Sequence, residues 1–487
     1  MRNEAGKKEN AMWTTYLLWC AAIIYLILIF CTATVVLLEN RQPAKTIAWL
    51  LVLVFLPVLG FVIFYFFGQN IRKERFIGRK NFELLTKVMM QETSYCPSDL
   101  LQPKYGRLIK LNERKNRSVL TANNATQLLV TGEDFIWELL RAIYAAKHYI
   151  HLQTYIIEDD AVGRLVRDAL IDRAREGVEV RLIYDDVGCW KVPNRFFEEM
   201  ITAGVRVQAF LPVKFPSLTH RINYRNHRKV AVIDGEQGFI GGMNIALRYM
   251  NRGERLWRDM HLKVCGEAVG GLQRIFVSDW YFMSNTLLLD PKYFPQQPTC
   301  KLVNEGALMQ IVSANPVSRY PEIMFSITWA IQHAVHYIYF QTPYFLPTEP
   351  IMQALQTAAM SGVDVRIMVP EKPDAFWLRW GNDSFFGNAL RAGVRIFIYR
   401  KGFLHSKCAV ADDDWCTVGS SNMDFRSFEN NFEANAFIYD AATSRQVKAV
   451  FLEDLEKCQE LQLEDWEKRP FFQRYMESVT RIFSPLL

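Results

Sequence analysis

"NHRKVAVIDGEQGFIGGMN" (226–244) and "LHSKCAVADDDWCTVGSSN" (404–422) carry one pattern in opposite halves of a 487-residue chain. Each has His, then Lys two residues on, then Asp five after that, then a glycine-containing turn that ends in Asn. The positions are His227, Lys229, Asp234 and Asn244 in the first stretch, and His405, Lys407, Asp412 and Asn422 in the second. A given histidine has Lys and Asp at those spacings by chance roughly once in four hundred. Two of them, in matching places, argue for a duplicated domain.

Working outward from the pair, further blocks recur in the same order. "YIHLQTYIIEDD" (149–160) matches "YIYFQTPYFLPT" (337–348), "EGVEVRLIYD" (176–185) matches "SGVDVRIMVP" (361–370), and "AGVRVQAF" (203–210) matches "AGVRIFIY" (392–399). Within each half, short β-branched runs alternate with amphipathic stretches such as "GRLVRDALIDRAREG" (163–177), which end at glycine. That alternation predicts βαβ units, hence an α/β fold of two tandem lobes packed together, each a mainly parallel sheet flanked by helices. The expected bounds are 126–300 and 301–487, after a polar, irregular connector at 72–125.

"HRKVAVID" reads as a strand. Alternate residues of a strand share a face, so His227 and Lys229 point one way while Val230 and Val232 pack behind them. His405 and Lys407 repeat this, with Cys408 and Val410 behind. An imidazole beside an ammonium on an apolar strand suits an anionic ligand. Asp234 and Asp412 fall at the following turn, where Asp is also common for purely local reasons. The "GGMN" and "GSSN" turns place backbone N–H groups and the Asn244 and Asn422 amides where an anion could be held.

The first seventy residues differ in kind. Residues 14–38 and 46–71 carry no charge, and each run exceeds the roughly 20 residues that cross a bilayer. The polar "ENRQPAK" (39–45) lies between them, so 1–71 reads as a two-helix transmembrane hairpin with spans near 14–38 and 46–68. A cleaved signal peptide is the rival reading of the first run, which is long for one and lacks a clear cleavage site. Basic residues flank the hairpin (Arg2, Lys7, Lys8; Arg72, Lys73, Arg75, Arg79, Lys80) more densely than its turn (Arg41, Lys45), which places the lobes in the cytoplasm. Nine scattered cysteines without a C-x-x-C pair suggest reduced thiols and no zinc site. "RKERFIGRK" (72–80) suits anionic headgroups, or serves as a topology signal alone. A net charge of +6 does not by itself mark a nucleic-acid binder.

The paired H-x-K-x4-D motifs, each with its G-[GS]-x-N turn, resemble the phospholipase D superfamily over about residues 126–487. The apolar hairpin, "HLQTYI", "QTPYF", "NHRK", "WRD", "LHSK", "NFE" and the terminal "SPLL" are similar, within it, to the bacterial cardiolipin synthase family. The resemblance implies two phospholipase D-like lobes sharing one site that contains His227, Lys229, Asp234, His405, Lys407 and Asp412. It implies a phosphohistidine on His227 with His405 as acid and base, although the halves are alike and the reverse assignment stays open. Lys229, Lys407, Asn244 and Asn422 would hold phosphate oxygens, and Ser420 would add a hydroxyl where the first half has Gly242. Asp259, 32 residues after His227, and Glu433, 28 after His405, would orient the imidazoles. No metal or other cofactor is required. The implied partners are phosphatidylglycerol, other anionic phospholipids and the bilayer, with no nucleic acid, in a multi-pass protein of the bacterial inner membrane.

His148, His151, His333 and His336 flank repeat strands and read as packing or surface residues, and His261 lies on a later strand. His220, in "KFPSLTHRINYRNHRK" (214–229), reads equally as part of a membrane-facing loop or an ordinary basic one. The implied reaction is transfer of a phosphatidyl group between two phosphatidylglycerols, giving cardiolipin and glycerol. The alternatives are transfer to phosphatidylethanolamine, a membrane-bound hydrolase or nuclease with the same residues, and a non-enzymatic lipid scaffold. Only the scaffold would survive His227→Ala and His405→Ala.

Overall fold

The computed structural model describes residues 2–38, 43–56, 58–64, 104–213, 223–251, 256–295, 306–318 and 320–484. The basic run at 72–80, most of the expected connector, His220, Cys96, Cys300 and the last three residues lie outside them. The chain divides into two compact units, one comprising 1–71 with 214–223 and the other the remainder.

In the first unit, the helix Arg2–Leu38 contains a 27-residue apolar segment, Met12–Leu38. It is long and apolar enough to cross a membrane. The second expected span differs. It is a 13-residue helix, Pro43–Phe55, followed by a short one, Leu59–Ile63, with Val58 between them at φ 63°. The break falls where the sequence has Pro57, which disfavours helix in the residue before it. At 1.5 Å per residue, Pro43–Phe55 covers about two thirds of a hydrocarbon core. The helices nonetheless pair: the Tyr25 hydroxyl donates to the Leu53 carbonyl at 3.2 Å, and Val36, Leu53 and Phe64 are buried together.

The second unit is α/β with two sheet-containing lobes. Among the described residues, the first sheet has strands β1 (Asn124–Leu129), β2 (Tyr149–Thr154), β3 (Glu179–Asp185), β4 (Arg206–Phe210), β5 (Val230–Ile233), β6 (Gln237–Gly241) and β7 (His261–Gly266), in the order β1-β7-β6-β5-β2-β3-β4. The second has β8 (Met309–Ala314), β9 (Tyr337–Gln341), β10 (Asp364–Pro370), β11 (Arg395–Tyr399), β12 (Cys408–Ala411), β13 (Trp415–Gly419), β14 (Glu433–Ile438) and β15 (Cys458–Leu461), in the order β15-β11-β10-β9-β12-β13-β14-β8.

The expectation of mainly parallel sheets needs correction. Only β2-β3-β4 and β9-β10-β11 pair in parallel, and every other neighbour in the two sheets is antiparallel. Parallel neighbours arise where a crossover helix such as Ala161–Arg175 or Glu349–Met360 returns the chain to the same edge. The motif strands have no such helix. β5 turns through two left-handed residues, Asp234 (φ 52°) and Gly235 (φ 69°), straight into β6, and β12 does the same through Asp412 (φ 50°) and Asp413 (φ 60°). A strand that returns through so tight a turn can pair only antiparallel.

Strand alternation then divides the core. Val230 and Val232 face a core shared with Val410 and Val418 of the second sheet, together with Leu272 and Phe276 of the helix Val269–Ser284 and Val447 and Phe451 of the helix Ala441–Leu455. Ala231 and Ile233 face outwards, under the helices Gly132–Ala145 and Ala161–Arg175. The two lobes are therefore joined by one continuous apolar layer, and their motif strands lie on either side of it.

Two further expectations change. The connector is not irregular throughout, because the helix Gly106–Asn116 packs on β8 and on the helix Glu322–His333 before the chain enters β1 of the first lobe. Its amphipathic sequence buries Leu108 and Ile109 there. The cysteines are not all reduced. Cys265 is disulfide-bonded, whereas Cys20, Cys31, Cys189, Cys408, Cys416 and Cys458 are free. A scattered cysteine has no sequence signature of pairing, and cysteine usage therefore gives no support to a reducing compartment.

Candidate active site

Each motif histidine enters the site beside a segment of the opposite lobe. The His227 amide donates to the Phe432 carbonyl at 3.0 Å, and the Phe432 amide to the Arg225 carbonyl at 2.9 Å. In the other direction, Phe403–Leu404 pairs in parallel with Trp257–Arg258, and the His405 amide donates to the Arg258 carbonyl at 2.7 Å. The next residues along these partner segments are the carboxylates Glu433 and Asp259. Side-chain pairing is consequently crossed. His227 Nδ1 lies 3.1 and 3.2 Å from the Glu433 carboxylate oxygens and 3.0 Å from the Ser420 carbonyl, while His405 Nδ1 lies 2.6 Å from Asp259. Each carboxylate serves the histidine of the other lobe rather than the one it follows in sequence.

His227 and His405 line one cavity of about 280 Å³, with Asn244, Asn422 and the aromatic rings of Tyr155, Tyr249, Trp257 and Tyr344. With Nδ1 engaged by a carboxylate, Nε2 is the ring nitrogen left for chemistry in both. Burial lowers the His227 pKa more than Glu433 raises it, and burial followed by the Lys407 ammonium takes His405 well below the usual histidine range. Lys407 Nζ is 2.9 Å from His405 Nδ1, close enough to oppose a second positive charge. Both imidazoles therefore rest neutral near pH 7, the form able to attack. Burial alone would push Glu433 up, but the opposing attraction of His227 and Lys229 holds it below the usual carboxylate range. Burial raises Asp259.

The expected phosphate ligands separate into groups. Lys229 and Lys407 are buried behind the histidines, each ammonium donating to the carbonyl of its own motif histidine, His227 (2.6 Å) and His405 respectively. Burial lowers both, Lys407 to about 8 and Lys229 well below the lysine range. Asn422 faces the cavity with its side-chain oxygen buried and without a hydrogen-bond partner. Asn244 reaches the same wall, but its amide is already engaged, accepting from the Ile156 amide at 3.2 Å and donating to the Tyr249 hydroxyl at 2.8 Å.

Ser420 departs from expectation. Its hydroxyl donates to Glu433, not into the cavity. Gly242, its counterpart, explains why the two halves differ: a Cβ there would lie 2.2 Å from Asp259 Oδ1. The second lobe leaves room for a hydroxyl that fixes its carboxylate. The first brings the carboxylate against the backbone itself.

Asp234 and Asp412 are also corrected. Asp234 accepts from the amides of Lys147, His148 and Tyr149 at 2.7, 2.9 and 2.7 Å, and Asp412 from those of Val335, His336 and Tyr337 at 2.8, 2.8 and 3.1 Å. They tie the turn after each motif strand to the start of the neighbouring strand, at the end remote from the histidine. Burial pushes the Asp412 carboxyl up, but Lys104 at 2.8 Å and the three amides outweigh it and hold it below its usual value. A depressed folded-state pKa stabilises the fold above the unfolded value, about 3.9, and the contribution is lost as pH falls through the folded value. Asp412→Asn is therefore expected to lower the melting temperature at pH 7, with the gap to wild type narrowing as pH falls below about 3.9. Activity per folded molecule should stay within about threefold; a larger loss at unchanged melting temperature would return Asp412 to the chemistry.

Sequence reasoning did not find the supports that hold the crossed pairs. Arg228, between His227 and Lys229, donates to Asp279 at 2.5 Å and to the carbonyls of Glu433 (3.0 Å) and Ala314 (2.9 Å) across the lobe boundary. Asp279 also takes Gln153 and Asn226. The second lobe repeats this: Asp454 accepts from Gln341 at 3.0 Å and from Arg258, beside Asp259, at 2.8 Å. A signal existed, because the two glutamines occupy the repeated "QT" and the aspartates are 175 residues apart, close to the 178 that separates His227 from His405. The remaining histidines behave as expected. His151 is buried on Gln273 and Arg181, His261 is buried against Phe135, and His148, His333 and His336 are exposed.

The family described as "Cardiolipin synthase, PLD-like domain" matches residues 139–280 and 327–455, which include both histidines. The chain belongs to that family. "Phospholipase_D-nuclease N-terminal" matches residues 17–69, over the apolar helices. Among curated relatives, "Cardiolipin synthase 2" of Bacillus anthracis is 39% identical over 464 residues, covering 94% of this chain and 90% of that one. "Cardiolipin synthase" of Geobacillus kaustophilus (strain HTA426) is 39% identical over 484 residues, covering 98% and 96%. A crystal structure of phosphatidylserine synthase from Haemophilus influenzae Rd KW20 superposes with a TM-score of 0.61 at 14% identity, over 78% of this chain and all of that one, a likeness of fold. As a member of the cardiolipin synthase family, the chain is an enzyme of the phosphatidyltransferase class and, with its long apolar helix, a membrane-associated one.

Proposed function

We propose that this enzyme transfers a phosphatidyl group from one phosphatidylglycerol to another, giving cardiolipin and free glycerol. The observation that carries the reading is the convergence of His227 and His405 on one cavity, each with Nδ1 held by a carboxylate and Nε2 left open. His227 Nε2 attacks phosphorus and the bond to the headgroup glycerol breaks; His405, neutral in the free site, takes up a proton as the anionic phosphodiester binds beside it and gives that proton to the departing oxygen. A second phosphatidylglycerol then enters. Its terminal hydroxyl loses a proton to His405 as the oxygen attacks phosphorus, and the P–N bond breaks. One phosphodiester replaces another, which makes the exchange reversible.

The opposite directions in which their surroundings shift the two carboxylates, Glu433 down and Asp259 up, support this assignment of roles. A phosphohistidine that keeps its Nδ1–H is cationic, and Glu433, held anionic beside His227, stabilises it. Lys229 and Lys407 supply the positive charge that offsets the phosphoryl oxygens, and the open Asn422 side-chain oxygen accepts from a glycerol hydroxyl at the cavity wall. The basic residues flanking the apolar segments support a reading with the lobes on the cytoplasmic side of a bacterial inner membrane.

The test is mass spectrometry of lipids and water-soluble products after the purified protein is incubated in phosphatidylglycerol vesicles. Cardiolipin and glycerol in equal amounts are expected from wild type and neither from His227→Ala. Phosphatidic acid in place of cardiolipin would make the protein a hydrolase, and cardiolipin appearing only when phosphatidylethanolamine is supplied, with ethanolamine released in place of glycerol, would change the donor.

A further inference from the structure

The C-terminal helix Phe471–Ile482 packs on the helix Phe376–Arg391 with one face only. That face is fixed. Glu477, 2% exposed, accepts from Arg469 Nε at 3.0 Å and Nη2 at 2.8 Å, and Arg481 donates to the Ser384 carbonyl at 3.1 Å with its guanidinium over the Phe385 ring. The opposite face is apolar and open. Phe471 is 74% exposed, Phe472 68%, Tyr475 56% and Ile482 75%, and Phe483 at the helix end is 52%. At about 100° per residue these side chains, with Val479, fall within roughly a third of the helix circumference. The ion pair and the Arg481 contacts hold the helix against rolling, so the stripe cannot be turned inwards.

Its surroundings indicate what covers it. Arg474 is exposed beside the stripe, and Lys468, just before the helix, has a side chain 76% exposed with its ammonium 3.5 Å from Asp465. Apolar and aromatic residues bordered by cations on a surface helix form the pattern of a segment lying in the headgroup region of an anionic bilayer. The surface also leads to the chemistry. The underlying helix carries Leu378 on the wall of the catalytic cavity and, next to it, Trp377, which is 61% exposed. A second copy of the chain is the competing occupant. A stable dimer interface takes about 20–30 residues a side, far more than this stripe supplies.

We infer that the helix Phe471–Ile482 is an interfacial docking surface that lies in the anionic lipid bilayer and presents the mouth of the cavity to lipid substrates. The inference rests on the reading that the substrates are bilayer lipids. It adds a membrane contact within the catalytic unit itself, separate from the N-terminal apolar helix.

The experiment uses the full chain reconstituted in phosphatidylglycerol vesicles. Tyr475→Cys is labelled with bimane in a Cys20→Ser, Cys31→Ser background, and the same background without Tyr475→Cys serves as control. Doxyl-labelled lipids are expected to quench the bimane at least as strongly as a water-soluble quencher does. In parallel, the triple variant Phe471→Ser, Phe472→Ser, Ile482→Ser is expected to turn over vesicle phosphatidylglycerol about tenfold more slowly. It should keep wild-type turnover of short-chain phosphatidylglycerol dissolved as monomers, and the corresponding triple leucine variant should keep both. Quenching from water alone with unchanged vesicle turnover would overturn the proposal. Shielding from both quenchers, with a dimer mass by light scattering, would assign the stripe to a second copy instead. Quenching by lipid is read whether or not cardiolipin forms, so failure of the functional reading leaves this result separate.

Discussion

His227→Ala is expected to lower cardiolipin formation by at least about four orders of magnitude, with the fold intact. The size follows from what the residue does. Without the imidazole no covalent intermediate forms, and direct attack by a lipid hydroxyl on an anionic phosphodiester has no comparable route. His405→Ala is expected to cost a similar factor with a natural donor, because a glycerol alkoxide leaves poorly without a proton. The two losses separate with an activated donor. When the headgroup is replaced by p-nitrophenol, the leaving group needs no proton, so His405→Ala should still release p-nitrophenolate in a single turnover and stall as a phosphohistidine on His227. His227→Ala should release none. Mass mapping of the phosphorylated peptide decides the outcome, and phosphate on His405 in the His227→Ala protein would exchange the two roles.

Glu433→Gln and Asp259→Asn carry the second large expectation, about a hundredfold to ten-thousandfold each with phosphatidylglycerol. An amide can leave the imidazole in the wrong tautomer, and it does not stabilise the cation that forms on the ring. What distinguishes the crossed arrangement is which histidine each substitution imitates. His227 Nδ1 is held by Glu433 and His405 Nδ1 by Asp259. With the p-nitrophenyl donor, Glu433→Gln should therefore suppress the burst as His227→Ala does, whereas Asp259→Asn should spare it as His405→Ala does. If Asp259→Asn abolished the burst and Glu433→Gln spared it, the pairing would run within each lobe, contrary to the geometry.

Much of this site was legible in the chain because duplication makes chemistry visible. His227 and Lys229 recur as His405 and Lys407 in the same sequence context, and local alternation was enough to set Val230 and Val232 on the core side of the strand. The α/β class was legible for a similar reason, since crossover helices announce themselves by period and by their terminal glycines. Strand direction was not. The left-handed turns at Asp234 and Asp412 reverse the chain, and a run of β-branched residues reads alike in either direction. The second apolar run was judged by its lack of charge, which does not register that its helix stops at Phe55.

The motif aspartates show the limit most directly. Spacing grouped Asp234 with His227, yet seven residues along a strand carry a side chain to the far end of it, where its partners are the amides of Lys147, His148 and Tyr149. Ser420 had the right chemistry for a phosphate, and only the position of Glu433 shows where its hydroxyl goes.

By itself, the sequence determined that this protein has two copies of one α/β lobe, a long apolar helix before them, and a histidine and a lysine at matching places in each copy, because these follow from local periodicity and repetition. Only the tertiary structure decided which carboxylate serves which histidine. That choice is made by the amides of His227 and His405 bonding to carbonyls of the opposite lobe, contacts between residues about 150 to 200 positions apart that no local pattern encodes.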